Sequence, residues 1–452
     1  MKQAVRKKNI DMTTGVVWQQ LLLFALPLIA GDFLQQLYST ADSIIVGQYV
    51  GKTALAAVTS TETLINCIIG LFSGISAGAT VVIARFFGAG DSDGIKKSVH
   101  TVIFITIIMG VLMTAVGVGL SPALLRLLKT PDDVFPEAKS YLRIYFSGMM
   151  GLVFYNMQSG ILRAVGDSVR PLMALFITSI VNIVLDLLFV AGFGMGTKGA
   201  ALATIIAVYA SAAYLLFILL RTDESYKFSF KELQYDRLIA NKVFNIGVPI
   251  GLQKSIVAFS NLMVIAHINL FGSGASAGWG VFRKVDTLVM NINQNLGQAL
   301  STFISQNLGA KKDERVHKGI SFTFIVTFAT AFMIDAFLIL LRVPIIKLFN
   351  GDPDVIKYGA LIFLCMLPFQ PFHSLTACFA GRFRGYGDSK GSTLIHILCM
   401  VVLRQIYLNI GWTFTHEFVF VISCYPFAWM LSLIMHAIYS KTIFRKKYPD
   451  AR

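Results

Sequence analysis

Apolar residues along this chain come in runs of about 20 without strict alternation, separated by short polar and charged segments. Alternation would mark the strands of a barrel, whereas unbroken runs of this length mark helices that cross a bilayer. The pattern predicts spans near 17–42, 54–83, 98–120, 138–161, 171–192, 199–220, 242–270, 277–305, 319–341, 357–380, 391–411 and 418–440. Each can cover a hydrocarbon core of roughly 30 Å at about 1.5 Å per residue. The expected fold class is all-α integral membrane, with about twelve transmembrane helices. A polar, charged stretch near 221–241 divides them into two equal sets.

Composition agrees. Of 452 residues, 55% are hydrophobic and only 14% charged, and the mean hydropathy is +0.68. A soluble chain of this length carries many more charges. The formal net charge of +15 raises the question of nucleic acid. Lys and Arg nevertheless sit in clusters between apolar runs, with no basic stripe interleaved with aromatics, so no nucleic-acid partner is expected. The clusters set orientation instead. One side holds Lys2, Arg6, Lys7 and Lys8, then Arg85, Lys96 and Lys97, Arg163 and Arg170, and the basic residues of the linker. It also holds Lys311, Lys312, Arg315 and Lys318, Arg382, Arg384 and Lys390, and the basic tail. The other side has few, such as Lys52, Arg126 and Lys129. The bias predicts a multi-pass protein of the cell (inner) membrane with both termini cytoplasmic. No small-residue cleavage site follows the first apolar run, which is read as a retained helix rather than a signal peptide.

The cysteines, Cys67, Cys365, Cys378, Cys399 and Cys424, all fall inside apolar runs with no metal-type spacing. They read as small buried hydrophobes. No complete Gly-x-x-x-x-Gly-Lys-Ser/Thr phosphate loop occurs, so neither ATP nor any other cofactor is expected.

The chain repeats itself. Gly166-Asp167-Ser168 recurs as Gly387-Asp388-Ser389, and at the same offset Gly160 matches Gly381, Arg163 matches Arg384 and Gly88-Ala89 matches Gly309-Ala310. Within one residue of that offset Pro27 matches Pro249 and Pro122 matches Pro344. Several coincidences in one register indicate duplication. Each half has an even number of spans, so the halves insert with the same orientation, related by a pseudo-twofold axis along the membrane normal. The expected organisation is an N-terminal lobe over 1–220, a cytoplasmic linker over 221–241 and a C-terminal lobe over 242–452. Duplicated transporters of this kind bind a small-molecule substrate between the halves and alternate access. Two lobes in one chain need no partner, so a monomer is expected.

These features resemble the multidrug and toxic compound extrusion (MATE) family across nearly the whole chain. The resemblance rests on Pro27 followed by Ala41-Asp42-Ser43, on Ser301-Thr302-Phe303 through Gln306-Asn307-Leu308-Gly309-Ala310, and on Arg163-Ala164-Val165-Gly166-Asp167 with its twin Arg384-Gly385-Tyr386-Gly387-Asp388. It implies two six-helix lobes and export of drugs or metabolites driven by protons or sodium. The cation site of the family's DNA-damage-inducible branch falls on Asp42, Tyr141, Asn182, Asp186 and Thr204, and all five residue types match. The acids of the norfloxacin-exporter branch fall on Val257 and His373, so the resemblance to that branch fails there.

Physical reasoning reaches the same residues. A charged side chain inside a bilayer costs roughly 2.5–3.5 kcal/mol or more, so it needs a cavity or a partner. Asp186 lies about 22 Å along its helix from Pro171, with Asn182 one turn below on the same face. Asp42, Tyr141 and Thr204 fall at a similar depth. Together these oxygen donors suit protons or a hard cation, with Na⁺ possible at Asp42, Asn182, Asp186 and Thr204. The blander alternative is that Asp42 caps its helix in interfacial water and Asp186 pairs only with Asn182. Pro27 removes a helical hydrogen bond and is expected to let the first helix bend. Lys254, His373, Asn291 and Arg404 are possible cavity residues. Lys254 could instead pair with Asp286 or Asp335, His373 could pack on a neighbouring helix, and the others could be hydrogen-bond links between helices.

The expected function is therefore a secondary antiporter for small organic, cationic or amphipathic compounds, and not an enzyme. The alternative is a flippase for lipid-linked saccharides, which would use mid-membrane Arg or Lys residues.

Overall fold

The computed structural model describes residues 10–50, 52–127 and 130–449. The basic residues Lys2, Arg6, Lys7, Lys8 and Lys129, and the side chain of Cys67, lie outside the described set. All regular elements among the described residues are helical. The spanning helices are α1 (Val17–Tyr49), α2 (Lys52–Gly88), α3 (Ser92–Leu127), α4 (Phe135–Ser147 continued by Met149–Ala164), α5 (Val169–Gly192) and α6 (Gly196–Arg221). In the second half they are α7 (Arg237–Asn269), α8 (Ser273–Gly309), α9 (Asp313–Leu340), α10 (Pro353–Tyr386), α11 (Ser389–Trp412) and α12 (Phe418–Lys447).

Ten of these are long and apolar enough to cross a membrane by length and composition alone. The other two are α4 and α8. Helix α4 is broken at Gly148, where a Cβ would collide with Ile205. Helix α8 carries Asn291, Asn293, Gln294 and Asn295 along its length. Large apolar side chains such as Leu26, Ile108, Val111, Ile325, Phe332 and Met333 are exposed. On a soluble protein that much exposed apolar surface would drive association, whereas on helices of spanning length it is the surface a bilayer accommodates.

The helices form two compact units. One comprises the described residues of 10–11 and Leu26–Gly251, and the other those of Met12–Ala25 and 252–449. The chain changes units inside α1, just before Pro27, and inside α7, just after Pro249. Both are the prolines that match in the repeat. Within the N-terminal unit, α2 and α7 cross so closely that a Cβ on Gly74 or Gly78 would strike the backbone at Gly247, Gly251 or Val243.

The repeat also shows in the packing. Gly160 leaves no room for a Cβ against Ser76 on α2, and its twin Gly381 leaves none against Gly297 on α8. Hydroxyls tie the same crossings: Thr80 donates to the Gly160 carbonyl at 3.0 Å and Ser305 to the Gly385 carbonyl at 3.0 Å.

The stretch between α6 and α7 is more than a tether. Tyr226 and Phe228 are buried in the N-terminal unit. The Ser229 amide donates to His100 Nε2 (3.2 Å), the Asp236 amide to Thr101 Oγ1 (3.1 Å), and Lys96 bonds Glu232 (2.7 Å). Its apolar alternation, Tyr226-Lys227-Phe228-Ser229-Phe230, is the sequence signal for this docking.

Candidate cation site in the N-terminal unit

Asn182 and Asp186 stand one turn apart on α5 and are both buried, at 1% and 0% exposure. The helix departs from α geometry immediately after Asp186, where Leu187–Gly192 forms a π turn. Such turns recur at functional sites because they displace side chains and free backbone groups. The Asp186 carboxyl lies beside that of Asp42 on α1 and the amide of Asn182. Neither Asp186 oxygen has a partner at hydrogen-bonding geometry, nor has either polar atom of the Asn182 side chain. Buried polar groups are ordinarily satisfied, so a cluster like this needs an explanation.

Tyr141 is buried and stacks on Tyr145 at 6.2 Å between centroids. Thr204 is half-buried, and its hydroxyl donates to the Ala200 carbonyl at 3.0 Å. Neither hydroxyl bonds Asp186. The structure brings Asp42, Asn182 and Asp186 together, with Tyr141 carried on α4 and Thr204 on α6. Two carboxylates and an amide, with orphaned oxygens, have the chemistry to take up protons or a hard monovalent cation.

Sequence reasoning passed over a second group. Tyr38, one turn before Asp42, is within electrostatic reach of Asp42, Tyr145 and Tyr155. Tyr155 is in turn within reach of Arg163 and Asp32. Ionisable side chains therefore continue from Asp42 along α1. The available signal was Asp32, a further carboxylate inside the first span.

In the C-terminal unit the possible cavity residues separate. Lys254 is exposed, Asn291 is half-buried, and His373 stacks almost flat on Trp429 (4.8 Å, 12°). Arg404 is 1% exposed and follows directly on a π turn, Leu398–Leu403. Its guanidinium donates to Ser260 Oγ at 2.7 Å and lies 4.9 Å from the Tyr425 ring. No carboxylate among the described residues pairs with it within 4.0 Å. Asp286, one expected partner of Lys254, instead pairs with Arg283 on its own helix at 3.1 Å. An i,i+3 neighbour on one helix face is the shorter reach.

The MatE family model matches residues 27–188 and again 249–409. The two matched stretches begin at Pro27 and Pro249, one in each half of the repeat. The chain belongs to the MATE family. Among relatives of this MATE chain, the "Probable multidrug resistance protein YpnP" of Bacillus subtilis is 28% identical, covering 88% of this chain and 89% of the relative. An "FAD transporter" of Shewanella oneidensis is also 28% identical, covering 89% of each chain. The solved structure titled "Outward-facing conformation of a multidrug resistance MATE family transporter of the MOP superfamily" superposes with a TM-score of 0.90. It is 22% identical and covers 97% of this chain and 98% of that one. This is the two-lobe, twelve-helix MATE fold of a multi-pass membrane transporter.

The MATE motifs that carried the resemblance have visible structural work. Gln306 Oε1 accepts from the Met12 amide at 3.1 Å, and Asn307 Nδ2 donates to the Met12 carbonyl at 3.0 Å. Arg315 donates to the Gly15, Met12 and Thr14 carbonyls at 2.8–3.1 Å. Together they hold the segment before α1 in the C-terminal unit. The Gly-Asp-Ser turns place Gly166 and Gly387 at φ +84° and +90°. Asp167 then accepts from the Val169 and Arg170 amides at the start of α5, which makes that turn a helix cap.

Proposed function

We propose that this MATE transporter is a secondary active antiporter that exports small organic, cationic or amphipathic compounds in exchange for H⁺ or Na⁺. The coupling site is Asp42, Asn182 and Asp186, with Tyr141 and Thr204 beside it, as in the DNA-damage-inducible branch. The protein works as a monomer in the inner membrane with both termini cytoplasmic, and it takes no cofactor beyond the coupling ion.

One observation carries this reading: a buried carboxylate, Asp186, without a hydrogen-bond partner beside a second carboxylate, Asp42. Two carboxylates this close in a lipid-spanning unit are costly unless a cation neutralises them. Binding and release of that cation gives the unit two states of different charge, which antiport requires. Pro27 supplies the point at which α1 yields between them. The test is dye transport by proteoliposomes under imposed pH and Na⁺ gradients, for wild type, Asp42→Asn and Asp186→Asn. Loss of gradient-driven transport in both variants is expected.

A second substrate class has one specific observation in its favour. Arg404 is a buried guanidinium without a carboxylate partner among the described residues, and an anionic group on the substrate would complete it. The relative named as an FAD transporter is consistent with that, as is a flippase for lipid-linked saccharides. If Arg404→Gln abolishes transport of an anionic substrate but spares a cationic dye, the exporter handles anions. Equal loss of both assigns Arg404 to structure.

A further inference from the structure

We propose that Asp335 and Asp286 form a second monovalent-cation site, in the C-terminal unit, which takes up a proton or Na⁺. Its role in transport rests on the antiport reading above, but its binding does not. Asp335 on α9 is 2% exposed, and both of its carboxylate oxygens are buried without a hydrogen-bond partner. It lies near enough to Asp286 on α8 for the two charges to interact.

Asp286 itself is fully satisfied. Arg283 Nη1 donates to its Oδ2 at 3.1 Å and Gln370 Nε2 to its Oδ1 at 2.9 Å. Arg283 therefore balances Asp286 and leaves one negative charge, on Asp335, in a lipid-spanning unit. Neighbouring helices carry other charged and titratable groups, of which Tyr425 is also within electrostatic reach of Asp286. Arg342 donates to the Ile339 carbonyl at 2.7 Å, and Lys284 lies over the Phe349 ring. On α10, His373 is stacked on Trp429. On α12, Tyr425 lies against Arg404. Gln370 Oε1, on the amide that already binds Asp286, is also buried without a partner. An uncompensated buried carboxylate is expensive, and its two orphaned oxygens can take up a proton or a hard monovalent cation. These residues are not the positions, Val257 and His373, where the norfloxacin-exporter acids would fall.

The test uses the purified full chain in detergent with two readouts. One is the infrared C=O band of protonated carboxyls as pH is varied. The other is saturation binding of radioactive sodium. Wild type should show two cation-responsive components, by either readout according to the ion. Asp335→Asn should lose one, Asp186→Asn the other, and the double variant both. Loss of one component with Asp335→Asn and of none with Asp186→Asn would uphold this site and overturn the N-terminal one. Identical signals in wild type and Asp335→Asn would overturn this site. So would an Asp335 band that responds to neither pH nor Na⁺, because that describes a permanently protonated structural acid. If Asp335→Asn fails to fold, Asp335→Glu serves: a shifted midpoint of one component supports the site, and an unchanged profile overturns it.

Discussion

Asp42 on α1 and Asp186 on α5 place two carboxyls side by side in the N-terminal unit. Neither oxygen of Asp186 is satisfied by the protein. A group left in this condition works against the fold that holds it. Replacing it with its neutral isostere should therefore relieve a cost. Asp186→Asn is expected to keep or raise the melting temperature in detergent, by about 0–3 kcal/mol of stability. A loss of several degrees would mean that Asp186 is a structural hydrogen-bonding residue and not a poised cation ligand.

Pro27 stands where α1 passes from one compact unit to the other. Alanine there restores the missing helical bond and gains helix propensity of about 3 kcal/mol in an unconstrained helix. Pro27→Ala should fold well, with transport slowed and its pH response flattened. Full transport with an unchanged pH response would show that bending of α1 is not part of the cycle.

Gly166 and Gly387 are matched residues with matched backbone angles. At Gly166 a Cβ would also strike the Ile10 carbonyl, whose own amide donates back to the Gly166 carbonyl at 3.0 Å. Gly166→Ala should cost about 1–2 kcal/mol from the left-handed angle alone, plus the collision. Gly387→Ala should pay the first cost. An unchanged thermal melt for either variant would contradict the turn geometry.

Much of the fold was legible because a bilayer imposes one rule, that backbone polar groups must be satisfied within each span, and apolar runs of span length obey it visibly. The duplication was legible because close helix crossings at Gly160 and Gly381 tolerate no side chain. Asn182 and Asp186 were legible through their one-turn spacing. Asp335 was weighed only as a partner for Lys254, because its neighbour Asp286 comes from α8, and sequence spacing says nothing of proximity across helices. The docking of Phe228 was marked only by a short apolar alternation set among charges, and the π turns beside Asp186 and Arg404 leave no mark on composition.

The Lys96–Glu232 contact gives the linker a pH dependence. The Lys96 ammonium holds the Glu232 carboxyl below its usual range. A lowered acid contributes at pH above the ordinary carboxylate value, and its contribution is lost as pH falls through the lowered one. Hydrogen exchange of residues 226–236 should therefore be flat near neutrality and rise faster than the chemical rate only in acid. Lys96→Met should remove that rise. An onset near neutral pH would point to another group.

Gradient-driven transport of a fluorescent organic cation in proteoliposomes, under a pH or a Na⁺ gradient, bears most directly on Asp42 and Asp186 as the coupling pair. Wild type should accumulate the dye under one gradient, and that gradient names the ion. Asp42→Asn and Asp186→Asn should each abolish it. Undiminished transport in both variants would place the coupling site elsewhere.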